Sequence, residues 1–458
     1  MSLQTRSQND SNPRTVAPMT AAPVPASPVA DAHPASAWRP LLEGAAAEQA
    51  WDAILAIAAD LETWPEDQFL SPNLASGAAG LSLFFSYLAE ATQDERWADA
   101  AYGYLERMLD EVGQVVFKPN LYAGFTGLAW TLEHLEGRLF EGHAVENDLE
   151  DRLSALLRHD VWRLEYDLIS GLAGFGVYGL EILPRPSARK ILAEILGQLE
   201  RTVDPDVDGV TWHTSPDLLV DHQRAVFPNG YHNLGLAHGI PGVLALLAGL
   251  AAADVERDRA LNLLRPAMDW FLAQEGAPEG TCFAHAVAPG VQPTRSRLAW
   301  CYGDPGVAIA LLHVARLTGE RSGYDAAYRV AESSAGRSMT VAGIIDSGLC
   351  HGSVGLGHLF NRFQQSADRP QAAVRDAAER WFLLGLEQRR PGSGIGGYKA
   401  FQAKGAEASW RECRGLLEGA AGIGLGLLAA VSDLEPDWDR VLMMSMRSFD
   451  VPCHGGEA

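Results

Sequence analysis

At 458 residues, 47% of them hydrophobic, the chain can bury a large core, as one big domain or as two to three ordinary ones. Its 58 acidic and 36 basic residues leave a formal charge of −22, which argues against nucleic-acid binding through phosphate neutralisation. That charge serves solubility and is also compatible with a cationic peptide substrate.

Residues 1–40 hold seven prolines among Ala, Ser and Val. They lack the apolar periodicity that would offset the entropy of ordering, so a disordered tail is expected there. No N-terminal stretch combines basic residues with a continuous apolar segment, and no run is apolar over the ~18 residues a spanning helix needs. A cytoplasmic protein is expected, with its folded domain over 41–447 and a flexible tail over 448–458.

From residue 41 the pattern is helical. Trp51, Ile54, Leu55, Ala58 and Leu61 follow an i, i+3, i+4, i+7 rhythm, and Trp97, Ala101, Tyr104, Leu105 and Met108 repeat it. Both segments predict amphipathic helices with one buried stripe. Other segments are apolar nearly all round: Gly80-Leu-Ser-Leu-Phe-Phe, Gly242-Val-Leu-Ala-Leu-Leu-Ala and Gly306-Val-Ala-Ile-Ala-Leu-Leu. Helices of that kind must be covered on every side.

The apolar helices share an opening signature, Gly-x-x-Gly. It occurs as Gly77/Gly80, Gly124/Gly127, Gly171/Gly174, Gly239/Gly242, Gly303/Gly306, Gly352/Gly355 and Gly419/Gly422, at intervals of 47, 47, 68, 64, 49 and 67 residues. Seven copies indicate a repeat architecture in which each unit supplies one outer and one inner helix. The expected fold is all-α, an α/α toroid, since a closed ring covers inner helices that a linear solenoid leaves open. Glycine at these starts should permit positive φ and close helix approach, and the seven loops should share one rim. The long third interval points to an insertion over 203–231, which could carry a small β-element.

Alignment on the first glycine puts Ala75-Ser76, Tyr122-Ala123, Ile169-Ser170, Ala237-His238, Cys301-Tyr302, Cys350-His351 and Leu417-Glu418 in the two preceding positions. Cys301 and Cys350 share a register in consecutive units, so two thiols and the His351 imidazole should converge on the rim. Three such ligands leave one tetrahedral position of a zinc ion open, the pattern of a catalytic site. The odd number and wide spacing of the five cysteines do not suit a disulfide framework and fit a reducing compartment. Cys282 and Cys413 fall outside the register, and His313 and His358 fall inside inner helices as core residues. Cys453-His454-Gly455 repeats the Cys-His-Gly string, but no helix follows it and it is not expected to bind metal.

Three blocks carry a resemblance: Leu236-Ala-His-Gly-Ile-Pro-Gly242, Ser296-Arg-Leu-Ala-Trp-Cys-Tyr-Gly-Asp-Pro-Gly306 and Leu349-Cys-His-Gly352. They resemble the signature blocks of the lanthionine synthetase C family over roughly residues 45–445. Asn233-Leu-Gly-Leu-Ala-His-Gly is closer to the bacterial lantibiotic cyclases than to the eukaryotic LanC-like proteins, and with no dehydratase domain before it a stand-alone cyclase is expected. The resemblance implies a zinc-dependent cyclase that adds peptide cysteine thiols to dehydroalanine or dehydrobutyrine, forming lanthionine or methyllanthionine. It implies a dehydrated precursor peptide as substrate, a separate dehydratase and an export transporter as partners, and membrane association only through such a complex.

By the same resemblance, Cys301, Cys350 and His351 are the zinc ligands and His238 protonates the enolate. Asp167 accepts the thiol proton or orients His238. Arg297 pairs with Asp167 or stabilises the enolate. Tyr302 hydrogen-bonds in the same pocket. From the residues alone, His238 could cap a helix, Asp167 could favour a helix dipole and Arg297 could form a plain surface pair. Two other functions stay open: a non-catalytic or glutathione-binding relative that kept zinc, and another α/α-toroid enzyme such as a glycoside hydrolase. The latter needs two opposed carboxylates, for which the rim loops offer Asp167, Asp304 and Glu418.

Overall fold

The computed structural model describes residues 38–62, 69–112, 118–141, 148–158, 160–277, 280–404 and 407–446. Helices run in chain order as α1 (Gly44–Glu62), α2 (Ala78–Thr92), α3 (Glu95–Val112), α4 (Phe125–Leu135) and α5 (Asp148–Arg158). Then come α6 (Leu172–Glu181), α7 (Pro186–Arg201), a short α8 (Asp221–Val226), α9 (Ile240–Ala252) and α10 (Arg257–Leu272). The last five are α11 (Asp304–Thr318), α12 (Arg321–Ala335), α13 (Ser353–Ser366), α14 (Ala372–Gln388) and α15 (Ala420–Val431).

Each Gly-x-x-Gly opens one helix of an inner ring: α2, α4, α6, α9, α11, α13 and α15. Every inner helix packs on the next, and α15 packs back on α2, which closes the ring. Apolar composition dictates this placement. From Ile240 to Ala251 every residue of α9 is buried, as is every residue of α15 from Ala420 to Ala430. Outside them lie amphipathic helices such as α3, whose buried stripe is Trp97, Ala101, Tyr104, Leu105 and Met108. In α1 the stripe is Ala50, Ala53, Ile54, Ile57, Ala58 and Leu61, whereas Leu55, read as part of it, is 44% exposed.

The glycines work by close approach rather than by positive φ. Six of the first glycines are extended N-caps, and only Gly303 is left-handed in φ, at 112°. A Cβ on Gly77 would lie 1.8 Å from the Ser71 carbonyl oxygen, and one on Gly171 would lie 2.0 Å from that of Glu165. Each rim loop folds back onto its own helix start, and any side chain there would collide with backbone.

Backbone hydrogen bonds lace neighbouring rim loops together. The amides of Ala75, Leu417 and Cys350 donate to the carbonyls of Tyr122, Ala75 and Leu417. Those of Trp300, Ala237 and Leu168 donate to Cys350, Cys301 and Ala237. All six accepting carbonyls stand two before a first glycine, and the bond from Trp300 to Cys350 sets the Cys301 and Cys350 loops side by side.

Three features differ from expectation. The tail expected over 1–40 lies outside the described residues up to 37, but Trp38 is buried and its indole donates to the Ala429 carbonyl at 2.8 Å. A large indole contributes too much apolar burial to stay in a tail. The insertion over 203–231 holds a 3-10 turn and α8. Its strand, β1 (His232–Asn233), starts one residue beyond it and pairs with β2 (Ala286–Val287). A second antiparallel pair, β3 (Ala400–Lys404) with β4 (Glu407–Arg411), was not anticipated.

The last described segment fills the bore of the ring. Asp437, Trp438, Asp439, Arg440, Val441, Leu442, Met443 and Met444 are all buried. Asp439 pairs with His358 and Arg362 of α13, and Arg440 with Glu181 of α6. The carbonyls of Val441 and Leu442 accept from Tyr122 Oη at 2.8 Å and Trp300 Nε1 at 3.0 Å. The expected tail over 448–458, with Cys453 and His454, lies outside the described residues. No helix among the described residues is long and apolar enough to cross a membrane.

Candidate metal centre and proton-transfer site

The ladder that aligns the loops also converges their side chains. Ligand atoms of Cys301, Cys350 and His351 all lie within 4.8 Å of one another. Cys301 is 5% exposed, and His351 Nδ1 is buried without a hydrogen-bond partner. Two soft thiols and an imidazole whose ligand atoms converge on one point form a donor set that fits zinc, with one tetrahedral position left over. The Cys301 thiol is held well below its ordinary range by hydrogen bonding with Cys350 and His351 and by the Arg297 charge; Cys350 is pushed well above.

Next to this cluster, His238 Nδ1–H donates to Asp167 Oδ2 at 2.9 Å. The other carboxylate oxygen accepts from the Ser170 amide at 2.7 Å. Asn73, at the same register four before its glycine, makes the same turn with the Ser76 amide. Asp167 therefore keeps the loop-capping role of its register and uses its second oxygen to fix the imidazole. Burial alone would push His238 down, but the bond to Asp167 and the charges of Asp167 and Cys301 outweigh it and raise its pKa.

The His238 ring stacks on Tyr302, centroids 5.3 Å apart at 17°. Tyr302 Oη accepts from Asn233 Nδ2 at 3.3 Å. With Nδ1 engaged, the exposed edge of His238, whose side chain is 36% accessible, is the Nε2 edge.

Arg297 departs from one expected pairing. Its guanidinium points at Cys301 Sγ, 3.6 Å away, and not at Asp167, whose oxygens are occupied by His238 and Ser170. Four residues separate Arg297 from Cys301, which brings the side chain over the sulfur of its own loop. Of the other rim carboxylates, Asp304 is fully buried, accepting from the Cys282 and Phe283 amides and pairing with Arg337. Glu418 accepts from Gln402 at 2.6 Å. His313 and His358 are core residues, as expected.

Sequence reasoning missed Glu165 and Asp346, and it gave Asn233 no role. All three lie six before a first glycine, in the register of Arg297, where the chain places Ser71, Lys118, Glu165, Asn233, Arg297, Asp346 and Cys413. A polar residue in every repeat was the available signal. Asn233 braces Tyr302. Burial and the Asp167 charge push Glu165 up to about 7, against the pull of His238. Asp346 ties β3 to the His351 loop, accepting from the Phe401 amide at 2.8 Å and from that of Gly348 at 3.2 Å.

A family model described as lanthionine synthetase C-like protein matches residues 68–443. The nisin biosynthesis protein NisC of Lactococcus lactis subsp. lactis is 22% identical over 315 residues, which are 64% of this chain and 74% of that protein. Among solved structures, a nisin cyclase superposes with a TM-score of 0.68 at 19% identity, over 87% of this chain and 97% of that one. That likeness agrees with the double ring of helices, an α/α toroid. A cellobiose 2-epimerase from Bacillus thermoamylovorans B4167 matches at a TM-score of 0.47 and 10% identity, over 84% and 98% of the two chains.

Proposed function

The chain belongs to the lanthionine synthetase C-like family, and from that premise we propose that it is a zinc-dependent lanthipeptide cyclase. The observation that carries the reading is the Cys301, Cys350, His351 cluster standing beside the His238–Asp167 pair. The substrate is a dehydrated precursor peptide, made by a separate dehydratase and passed on to an export transporter, in the cytoplasm. Relatives named for nisin biosynthesis and nisin cyclisation support this assignment.

Cys301, Cys350 and His351 would hold the zinc, whose Lewis acidity makes a substrate thiol a thiolate at neutral pH. The reaction transfers no electrons to or from the protein. The substrate thiol gives its proton to solvent, a C–S bond forms at the β-carbon of dehydroalanine or dehydrobutyrine as the C=C π pair moves towards the carbonyl, and the α-carbon of the resulting enolate takes up a proton from His238, which solvent then reprotonates. His238 supplies that proton from Nε2, the edge its bond to Asp167 leaves free. Asp167 fixes the orientation of the ring and favours its charged form. Tyr302 holds the ring plane, and Arg297 places positive charge at the Cys301 sulfur where anionic character gathers.

The test is loss of alkylatable thiols from a dehydrated, cysteine-containing peptide, since cyclisation leaves the mass unchanged. Thiols should disappear with wild-type protein and far more slowly with Cys301→Ala. Equal loss with and without protein, or the same products in ring pattern and stereochemistry as an enzyme-free control, overturns the reading.

A further inference from the structure

Two cavities adjoin beside the metal-ligand cluster. The first, of about 660 Å³, has Arg297, Ile345, His351, Phe401, Arg411 and Glu418 in its walls. The second, of about 490 Å³, is bounded by Ile345, Asp346, Arg390, Lys399 and Trp410. Ile345 and Asp346 line both, so the two cavities adjoin and together form a trough with His351 in the wall of one part and Trp410 in the wall of the other.

The walls are held in place. Asp346 bonds the Phe401 amide of β3 and the Gly348 amide of the His351 loop at once. Gln402 donates to Glu418, and the Phe401 and Trp410 rings meet edge to face at 5.4 Å across the strand pair. A wall tied twice to the rim loses little entropy when a ligand lies against it.

The lining has a specific chemistry. Ile345 is 52% exposed and Trp410 53%, an apolar pair facing solvent where a lone monomer gains nothing from it. Arg297, Arg390, Lys399 and Arg411 make the trough basic. They outnumber its two carboxylates, Asp346 and Glu418, whose hydrogen bonds go to the Phe401 and Gly348 amides and to Gln402. This concentration of cations stands out in a chain with 58 acidic and 36 basic residues.

We propose that this trough docks the stretch of dehydrated peptide flanking the reacting cysteine, taking an apolar side chain on Trp410 and Ile345 and an acidic one on Lys399 and Arg390. The proposal rests on the cyclase reading, since continuity with the His351 site is what names the occupant. Net charge, which serves solubility and is compatible with a cationic peptide, does not describe this trough: near the reacting thiol the selected residues are apolar and acidic.

Two dodecapeptides test it, each with one dehydroalanine and one cysteine. Their other positions are Leu, Glu and Gly in the first and Lys, Ser and Gly in the second. Fluorescein-labelled versions with Ser for Cys and Ala for dehydroalanine report binding by anisotropy without turnover. Wild-type protein should favour the Leu/Glu peptide at least about tenfold in binding and, through KM, in thiol loss, the size of loss expected when an aromatic anchor is truncated. Trp410→Ala should remove the apolar part of that preference and Trp410→Phe should restore most of it. Lys399→Glu should weaken the Leu/Glu peptide and strengthen the Lys/Ser one, with zinc content equal to wild type in all three. Equal binding of both peptides, or variants that bind like wild type, overturns the docking groove whatever the turnover. A preference that holds in binding while neither peptide loses thiols supports the groove and overturns the cyclase reading alone.

Discussion

His238 Nδ1 stands 2.9 Å from Asp167 Oδ2, and this bond decides which nitrogen faces the substrate and how long it stays protonated. An acid must be charged to give its proton, so turnover should hold steady on the acid side and fall as pH rises through the raised His238 pKa. In Asp167→Asn the raising partner is gone and the fall should move to lower pH. His238→Ala should lose about 10²–10⁴-fold while keeping zinc and fold, as general acid–base contributions usually do. Initial rates of thiol loss between pH 5.5 and 9 measure all three. An alkaline limb that stays put in Asp167→Asn removes His238 from the proton transfer.

Zinc content should be one per chain and should track the cluster. Cys301→Ala or His351→Ala removes one of three donors within 4.8 Å and should lower bound zinc sharply in elemental analysis after dialysis. Cys453→Ala should leave it unchanged. Zinc lost on changing Cys453 would mean that the other Cys-His pair is the ligand set.

The site was legible because the chain repeats itself. Counting back two from each first glycine named Cys301 and Cys350 as neighbours, and the ladder bond from Trp300 N to Cys350 O is the physical form of that count. The inner ring was legible from helices with no polar face. Glu165, Asn233 and Asp346 escaped although their register repeats, because the count stopped at the two positions before each glycine; other features had no periodic signal. The strand pair β3–β4 is held by Asp346 and Glu418, contacts that are distant in sequence. The segment from Asp437 to Met444 follows no repeat, and its Asp439 is matched inside the bore by His358 and Arg362. The glycine reading put too much on φ, because what excludes a side chain at Gly77 is a carbonyl 1.8 Å from its Cβ position.

Glu165 makes a stability prediction with an uncommon sign. Its pKa of about 7 in the fold exceeds that of a free glutamate, so between roughly pH 4.5 and 7 the folded state binds more protons than the unfolded one. The contribution is full below the unfolded value and is lost as pH rises through 7. Glu165→Gln, neutral throughout, should match wild type near pH 5 and be more stable by about 1–2 kcal/mol at pH 8, a figure reduced for partial exposure to water. Urea unfolding at the two pH values reads the difference. A gap that does not change with pH would mean that Glu165 titrates normally.

The buried ion group in the bore gives the largest expected loss. Asp439 is fully buried, with His358 Nε2 at 2.9 Å and Arg362 Nε at 2.8 Å on the same oxygen. Arg362 also lies over the Trp38 ring at 4.6 Å, and His358 stacks on Trp438 at 4.8 Å. One carboxylate therefore joins α13, the first described residue and the segment whose Leu442 carbonyl braces Trp300 beside Cys301. Asp439→Ala leaves the buried Arg362 guanidinium only its second carboxylate, Glu435, takes the partner from His358 Nε2, and should cost about 3 kcal/mol in thermal or urea unfolding, the low end for a broken buried pair. If the loss comes from uncompensated charge, Asp439→Leu combined with Arg362→Met should recover most of it, because replacing both partners by apolar groups of similar volume is often neutral. If the double variant is no more stable than Asp439→Ala, the segment is held by shape and not by its ions. Bound zinc then separates two consequences: a bore segment that supports Trp300 predicts weaker zinc in Asp439→Ala and wild-type zinc in the recovered double variant.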